Sequence, residues 1–119
     1  FIGTPKMNIL PLNNENIISD NKIIFLGNEI IFEKTKFDKK KYFLGIRPEH
    51  LSQTENGLIN LKVDLVEQLG SDNLVYGQLK DKKDFCYRCP GNQTIEKGAN
   101  LSLNIENNKY YIFDKKKSQ

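Results

Sequence analysis

The sequence is poor in the residues that most often carry chemistry or cross membranes. It has one histidine, His50, two cysteines, and no apolar run near the roughly 20 residues that a membrane-spanning helix needs. It contains no G-x-x-x-x-G-K-[ST] phosphate-binding loop. No spacing indicates a carboxylate pair or a Ser/His/Asp set. We therefore expect no conventional enzyme, no ATP hydrolysis and no bound cofactor in this chain.

The two cysteines, Cys86 and Cys89, form a C-x-x-C pair. A zinc site of this kind needs a second pair or nearby histidines, and only His50 is available. Positions three apart on a strand face opposite sides of a sheet, so the two thiols could not chelate one ion or close an unstrained disulfide. We expect reduced structural thiols, no metal and a cytoplasmic setting.

The charge of the chain is nearly balanced, with 18 basic and 15 acidic residues and a net charge of +3. Such a balance is weak evidence for a polyanionic partner, and we expect no nucleic-acid binding. The first residues, FIGTP, have neither an initiator Met nor the basic and apolar regions of a secretory signal. We expect them to continue from an upstream segment.

The clearest structural pattern lies in residues 59–79. Apolar and polar residues alternate from 59 to 65, as on a strand with one buried face. Leu61, Leu65 and Leu69 also have the spacing of one helix face, with Gly70 placed as its C-cap. The β-branched residues of the stretch favour the strand. A second strand over 74–79 then makes a hairpin.

Similar patterns recur along the chain. The other strand candidates are residues 7–10, 23–32 as a hairpin turned at Gly27-Asn28, 42–46, 85–89, 101–105 and 110–113. Pro11 is predicted to end the first of them. The charged connection Glu33 to Lys41 fits either a loop or a short helix. Short strands with turn signals about every 8 to 12 residues predict an all-β fold, a small antiparallel barrel or sandwich.

Several of these stretches resemble, in the same order, the C-terminal region of carbohydrate-type ABC importer ATP-binding subunits. They are FIGTPKMN at 1–8, LGIRPEHL at 44–51, VEQLGSDNLVYGQL at 66–79, RCPG at 88–91 and YYIFD at 110–114. The chain is thus similar to the TOBE or OB-type regulatory domain of maltose, multiple-sugar or glycerol-3-phosphate importers. The resemblance implies an OB-fold-like small barrel (MOP/TOBE-like) with little helix, a single domain over 1–119. ATP and Mg would be held by a nucleotide-binding domain upstream.

The resemblance also implies partners and a location. It implies a homodimer through regulatory domains, permease subunits reached through the ATPase domain, a possible regulatory protein, and a cytoplasmic position at the inner face of the cell membrane. Two alternatives stay open. An OB-type barrel with Tyr, Phe and Lys could stack single-stranded nucleic acid. A molybdate-type oxyanion module could use Ser71 and Lys62 as ligands.

Six residues are candidates for regulatory or partner contacts. They are Gly45, Arg47, Glu49, Glu67, Gly70 and Ser71. Arg47 and Glu49 flank a proline at a strand end, where the guanidinium could pair with a carboxylate or form only an exposed ion pair. Gly45 inside a strand indicates close approach of another backbone, within the barrel or at an interface. The last three lie at the tip of the central hairpin, where loops often meet partners.

Overall fold

The computed structural model describes residues 6–19, 21–25, 28–31, 42–106 and 109–113. The chain divides into two compact units, one made of Phe1–Asn8 and Ile46–Tyr110 and the other of Ile9–Gly45 and Tyr111–Gln119. The helices whose full extent is described are single 3-10 turns, Asn14–Asn16 and Pro48–His50. None of the described helices is long and apolar enough to cross a membrane.

The structure describes eleven strands. They are β1 (Asn8–Leu12), β2 (Ile17–Ser19), β3 (Lys22–Phe25), β4 (Asn28–Ile31), β5 (Tyr42–Ile46), β6 (Leu51–Gln53), β7 (Ile59–Gln68), β8 (Asp72–Gln78), β9 (Asp84–Pro90), β10 (Asn100–Ile105) and β11 (Tyr111–Phe113). They form sheets in the orders β1-β5-β11, β2-β3-β4 and β6-β10-β7-β8-β9. The five-stranded sheet is antiparallel throughout. The predicted all-β class is confirmed.

The central stretch is a strand and not a helix. On β7, Ile59, Leu61 and Val63 are at most 1% exposed, and the polar residues between them face solvent. Leu65 and Leu69, which would complete the helical stripe, are 58% and 45% exposed. The period of two therefore decides the structure, because it places every second side chain in the core. The predicted hairpin with β8 is confirmed, with a register shift between Val63 and Leu65.

The five-stranded sheet curls so that its two edge strands, β6 and β9, contact each other. The Tyr87 side chain on β9 is hydrogen-bonded to Gln53 on β6. Near closure of this kind removes most of the exposed sheet edge. The predicted OB-fold-like small barrel is confirmed.

Asn8 covers part of the outer edge of β9. Its Nδ2 donates to the Cys86 carbonyl at 2.8 Å, and its Oδ1 accepts from the Cys86 amide at 2.8 Å. The side-chain amide thus pairs with β9 as a neighbouring strand would. Both groups of Cys86 are satisfied although they lie at a sheet edge.

The second unit contains the remaining sheets. β3 and β4 pair from Lys22 with Ile31 to Phe25 with Asn28, which confirms the predicted hairpin; its turn residue Gly27 lies outside the described residues, as does the connection Glu33 to Lys41. The prediction that Pro11 ends the first strand is wrong, because β1 continues to Leu12. β1 is an edge strand, where a proline without an N–H need not remove a ladder hydrogen bond.

Candidate functional site

The β7–β8 hairpin turns through a two-residue loop, Gly70-Ser71. The Leu69 amide donates to the Asp72 carbonyl at 2.8 Å, and Gly70 has a φ of +91°. Glycine with positive φ at the first loop position is what a type II′ turn requires. Gly70 and Ser71 therefore lie at the tip of the hairpin and are both exposed.

A second turn braces this tip. The Gly91 amide donates to the Ser71 carbonyl at 2.8 Å. A Cβ atom on Gly91 would approach the Gly70 carbonyl oxygen to 2.5 Å, so only glycine fits there without a shift of the backbone. The Pro90-Gly91 turn and the hairpin tip thus form one firm surface, which we call the braced tip (residues 70–71 and 90–91).

An ion pair lies beside the braced tip. Arg88 Nε donates to Asp72 Oδ2 at 2.7 Å, and Arg88 Nη2 lies 2.6 Å from the same oxygen. Each side chain is 31% exposed, so the pair is only partly solvated. The sequence placed Arg88 in the strand candidate 85–89 and in the RCPG stretch, but did not predict its pairing with Asp72. The pairing of β8 with β9 could have predicted this ion pair, because opposite charges on the same face of neighbouring strands attract.

Two of the predicted acidic residues act on the pKa of one thiol. Burial of Cys86 on β9, followed by the negative charges of Glu67 and Glu49, raises the pKa of this thiol to about 12. Burial, Cys86 and Glu67 together raise the pKa of Tyr76 on β8. Glu67 Oε1 is buried and has no hydrogen-bond partner in the described part of the chain. Glu49 and Glu67, which are 18 positions apart in the sequence, thus both influence the charge state of Cys86.

Arg47 and Glu49 lie in the short segment that follows β5. The Arg47 carbonyl accepts from the His50 amide at 3.0 Å, which closes the 3-10 turn Pro48–His50. Pro48 is fully buried and this turn packs against β9, whereas Arg47 and Glu49 are exposed. The buried proline thus holds both charged side chains at the surface of the first unit.

Gly45 belongs to the second unit. It is buried in β5, the middle strand of its sheet, and it lies opposite Tyr111 of β11. A glycine in the middle of a sheet lets neighbouring chain segments approach closely. Gly45 is thus a packing position within its own sheet.

Ser71 and Lys62 do not lie together as the ligands of an oxyanion site, which was one of the alternatives. Lys62 pairs with Gln78 near the open end of the hairpin, whereas Ser71 lies at its tip, beyond the pair Gln68 and Asn73. Six residues of extended strand separate Lys62 from Gln68, which is roughly 20 Å. The two proposed ligands are therefore far apart.

The cysteines show no sign of nucleophilic activation. Both are buried and free, and burial followed by the Asp72 charge raises the pKa of Cys89 as well. A thiol with a raised pKa is protonated at neutral pH and a poor nucleophile. In the ranges that the structure describes, no group of three or more His, Cys, Asp or Glu side chains is placed to hold a metal ion.

These features define a class of protein, the small OB-like β-barrel modules. The candidate site of this one is the braced tip, a surface formed by two hydrogen-bonded turns. The TOBE domain family matches residues 44–113, from β5 to β11. The chain belongs to this family.

Comparison with curated proteins shows relatives of two kinds. The maltose/maltodextrin import ATP-binding protein MalK of Vibrio cholerae serotype O1 is 36% identical over 121 residues, covering 95% of this chain and 32% of that protein. The sn-glycerol-3-phosphate import ATP-binding protein UgpC of Ruegeria sp. strain TM1040 is 33% identical over 115 residues, covering 96% and 31%. UgpC of Escherichia coli O6:K15:H31 is 35% identical over 120 residues, covering 96% and 33%. The chain spans about a third of the length of these relatives.

Proposed function

We propose that this chain is the non-catalytic regulatory and dimerisation domain of an ABC importer ATP-binding subunit that serves sugar or glycerol-3-phosphate uptake. The observation that carries the proposal is the alignment of nearly the whole chain with import ATP-binding proteins of both kinds. ATP and Mg would be bound, and ATP hydrolysed, by a nucleotide-binding domain outside these 119 residues. The subunit would work with permease subunits at the cytoplasmic face of the membrane.

The braced tip is the surface that we assign to the dimer mate or to a regulatory protein. It is exposed, and its backbone is held by the Gly91 to Ser71 hydrogen bond. A preorganised surface loses little conformational entropy on binding, which favours association through a small area. Glu67, three positions before Gly70 on β7, would add negative charge near it.

Weak dimerisation is the first measurable consequence. Sedimentation equilibrium of the chain from about 10 µM to about 1 mM should show a monomer–dimer equilibrium with a dissociation constant of about 0.1 to 1 mM. Ser71→Arg places a long charged side chain on the braced tip and should weaken the dimer at least about tenfold. A purely monomeric chain up to about 1 mM would contradict the proposal.

A matched variant separates a local effect from a general effect of charge. Asn60→Arg adds the same charge at an exposed position at the start of β7, the end of the strand away from the braced tip. It should leave the dissociation constant within about twofold. Equal weakening by both variants would show that added charge, and not the braced tip, governs association.

A further inference from the structure

An open groove lies on the solvent side of the five-stranded sheet, at the end of the β7–β8 hairpin away from its tip. It encloses about 460 Å³, a volume large enough for a small ligand. Its polar lining comes from β7, β8, β10 and the β8–β9 loop, and consists of Asn60, Lys62, Gln78, Lys80, Lys82 and Asn100. The groove therefore gathers three ammonium groups and three side-chain amides.

The three lysines of the groove are not neutralised by ion pairs. Among the described residues, none of them forms a salt bridge. The loop acid, Asp81, is instead bonded to the neighbouring Lys83, with Nζ to Oδ2 at 3.1 Å. The acids nearest by strand position, Asp64 and Asp84, do not line the groove. The lining is thus positively charged and open to an anion.

The β8–β9 loop holds one of these lysines in an unusual backbone conformation. Lys82 has a φ of +66°, and its amide donates to the Leu79 carbonyl at 2.9 Å. The Leu79 amide donates in turn to the Lys83 carbonyl at 2.9 Å. In three-residue hairpin loops of this form, the position with positive φ is usually taken by glycine or asparagine. Here it carries a long cationic side chain into the groove lining.

We propose that this groove binds a phosphate-bearing small molecule, such as a phosphate monoester or pyrophosphate. Ammonium groups act as point charges and can surround a multiply charged tetrahedral anion from several directions. The amide side chains supply neutral N–H donors for the remaining oxygens. A planar carboxylate would be better matched by the fork of an arginine, which the lining lacks. This binding is separate from the association assigned to the braced tip.

Titration of the 119-residue chain with pyrophosphate, followed by amide NMR at constant ionic strength, tests the proposal. We expect saturable shifts confined to the groove, with a dissociation constant of about 0.1 to 1 mM. The double variant Lys62→Gln/Lys82→Gln should bind at least about tenfold more weakly. Shifts spread over all lysines without saturation, or a double variant that binds as well as the parent chain, would overturn the proposal.

Two controls make the result specific. Lys83→Gln removes one positive charge next to Lys82, from a lysine paired with Asp81, and should change the affinity by less than about twofold. If Lys83→Gln lost as much affinity for pyrophosphate as the double variant does, binding would depend on overall charge and not on the groove. Cosedimentation with vesicles of phosphatidic acid, without any response to pyrophosphate, would show that the phosphate belongs to a lipid and contradict a small-molecule site.

Discussion

The link between Asn8 and β9 provides the sharpest test of the fold. One side-chain amide donates to and accepts from the backbone of Cys86, with both distances at 2.8 Å, across 78 positions of sequence. Asn8 is only 8% exposed, so water does not readily replace it. Asn8→Ala would leave a buried N–H and a buried C=O without partners.

The expected cost follows from the two groups left unpaired. An unsatisfied buried donor or acceptor costs about 1 to 3 kcal/mol, and partial entry of water lowers the sum. We expect Asn8→Ala to lower the free energy of unfolding by about 2 to 4 kcal/mol, a large share of the roughly 5 to 15 kcal/mol available to a domain. Tm should fall by about 10 °C.

Urea unfolding followed by circular dichroism measures this loss, as a lower midpoint with an unchanged slope. Asn60→Ala, at an exposed position of β7, is the control and should cost less than about 0.5 kcal/mol. Asn8→Asp keeps the acceptor for the Cys86 amide but sets a carboxylate oxygen against the Cys86 carbonyl. Its loss should shrink as the pH falls toward about 4, because the folded chain favours the protonated carboxyl, which regains a donor. An Asn8→Ala loss no larger than that of the control would refute the argument.

Three further predictions follow from the first unit. In Gly77→Ala, the added Cβ atom would collide with the Lys62 carbonyl oxygen beside the register shift. The free energy of unfolding, measured in urea, should fall by about 1 to 3 kcal/mol. Unchanged stability would contradict this close approach. At neutral pH the thiolate of Cys86 should be about 1,000-fold scarcer than that of an unshifted thiol. An aromatic disulfide reagent should therefore react slowly with Cys86 in the folded chain, about tenfold faster for each unit of pH increase, and Cys89 should also be slow. Rapid reaction at neutral pH before urea is added would count against both assignments. Lys82→Gly relieves the positive φ and should raise stability by about 0.5 to 1 kcal/mol; a loss of stability would show that the loop is unstrained.

Sequence reasoning succeeded where structure depends on neighbours along the chain. The alternation in β7 and β10 and the turn residues at Gly70-Ser71 predicted strands and a turn that the structure contains, and Gly70 has a φ of +91°. It failed for β2 and β6, because the short sequences IIS and LSQ show no alternation of apolar and polar residues. It also failed for the extent of β1, because local rules do not show that a proline lies on an edge strand.

Some features of the candidate site could likewise be predicted from the sequence, and others could not. The alternation of apolar and polar residues and the placement of glycine determined that β7 and β8 form a hairpin with Gly70-Ser71 at its tip, since both signals act between residues close in sequence. Only the tertiary structure decided that Gly91 braces this tip, that Glu49 and Glu67 both raise the pKa of Cys86, and that Asn8 covers the edge of β9. Those contacts depend on strand order, register and the near closure of the sheet, which arise from burying one core and are not encoded in any short stretch of the chain.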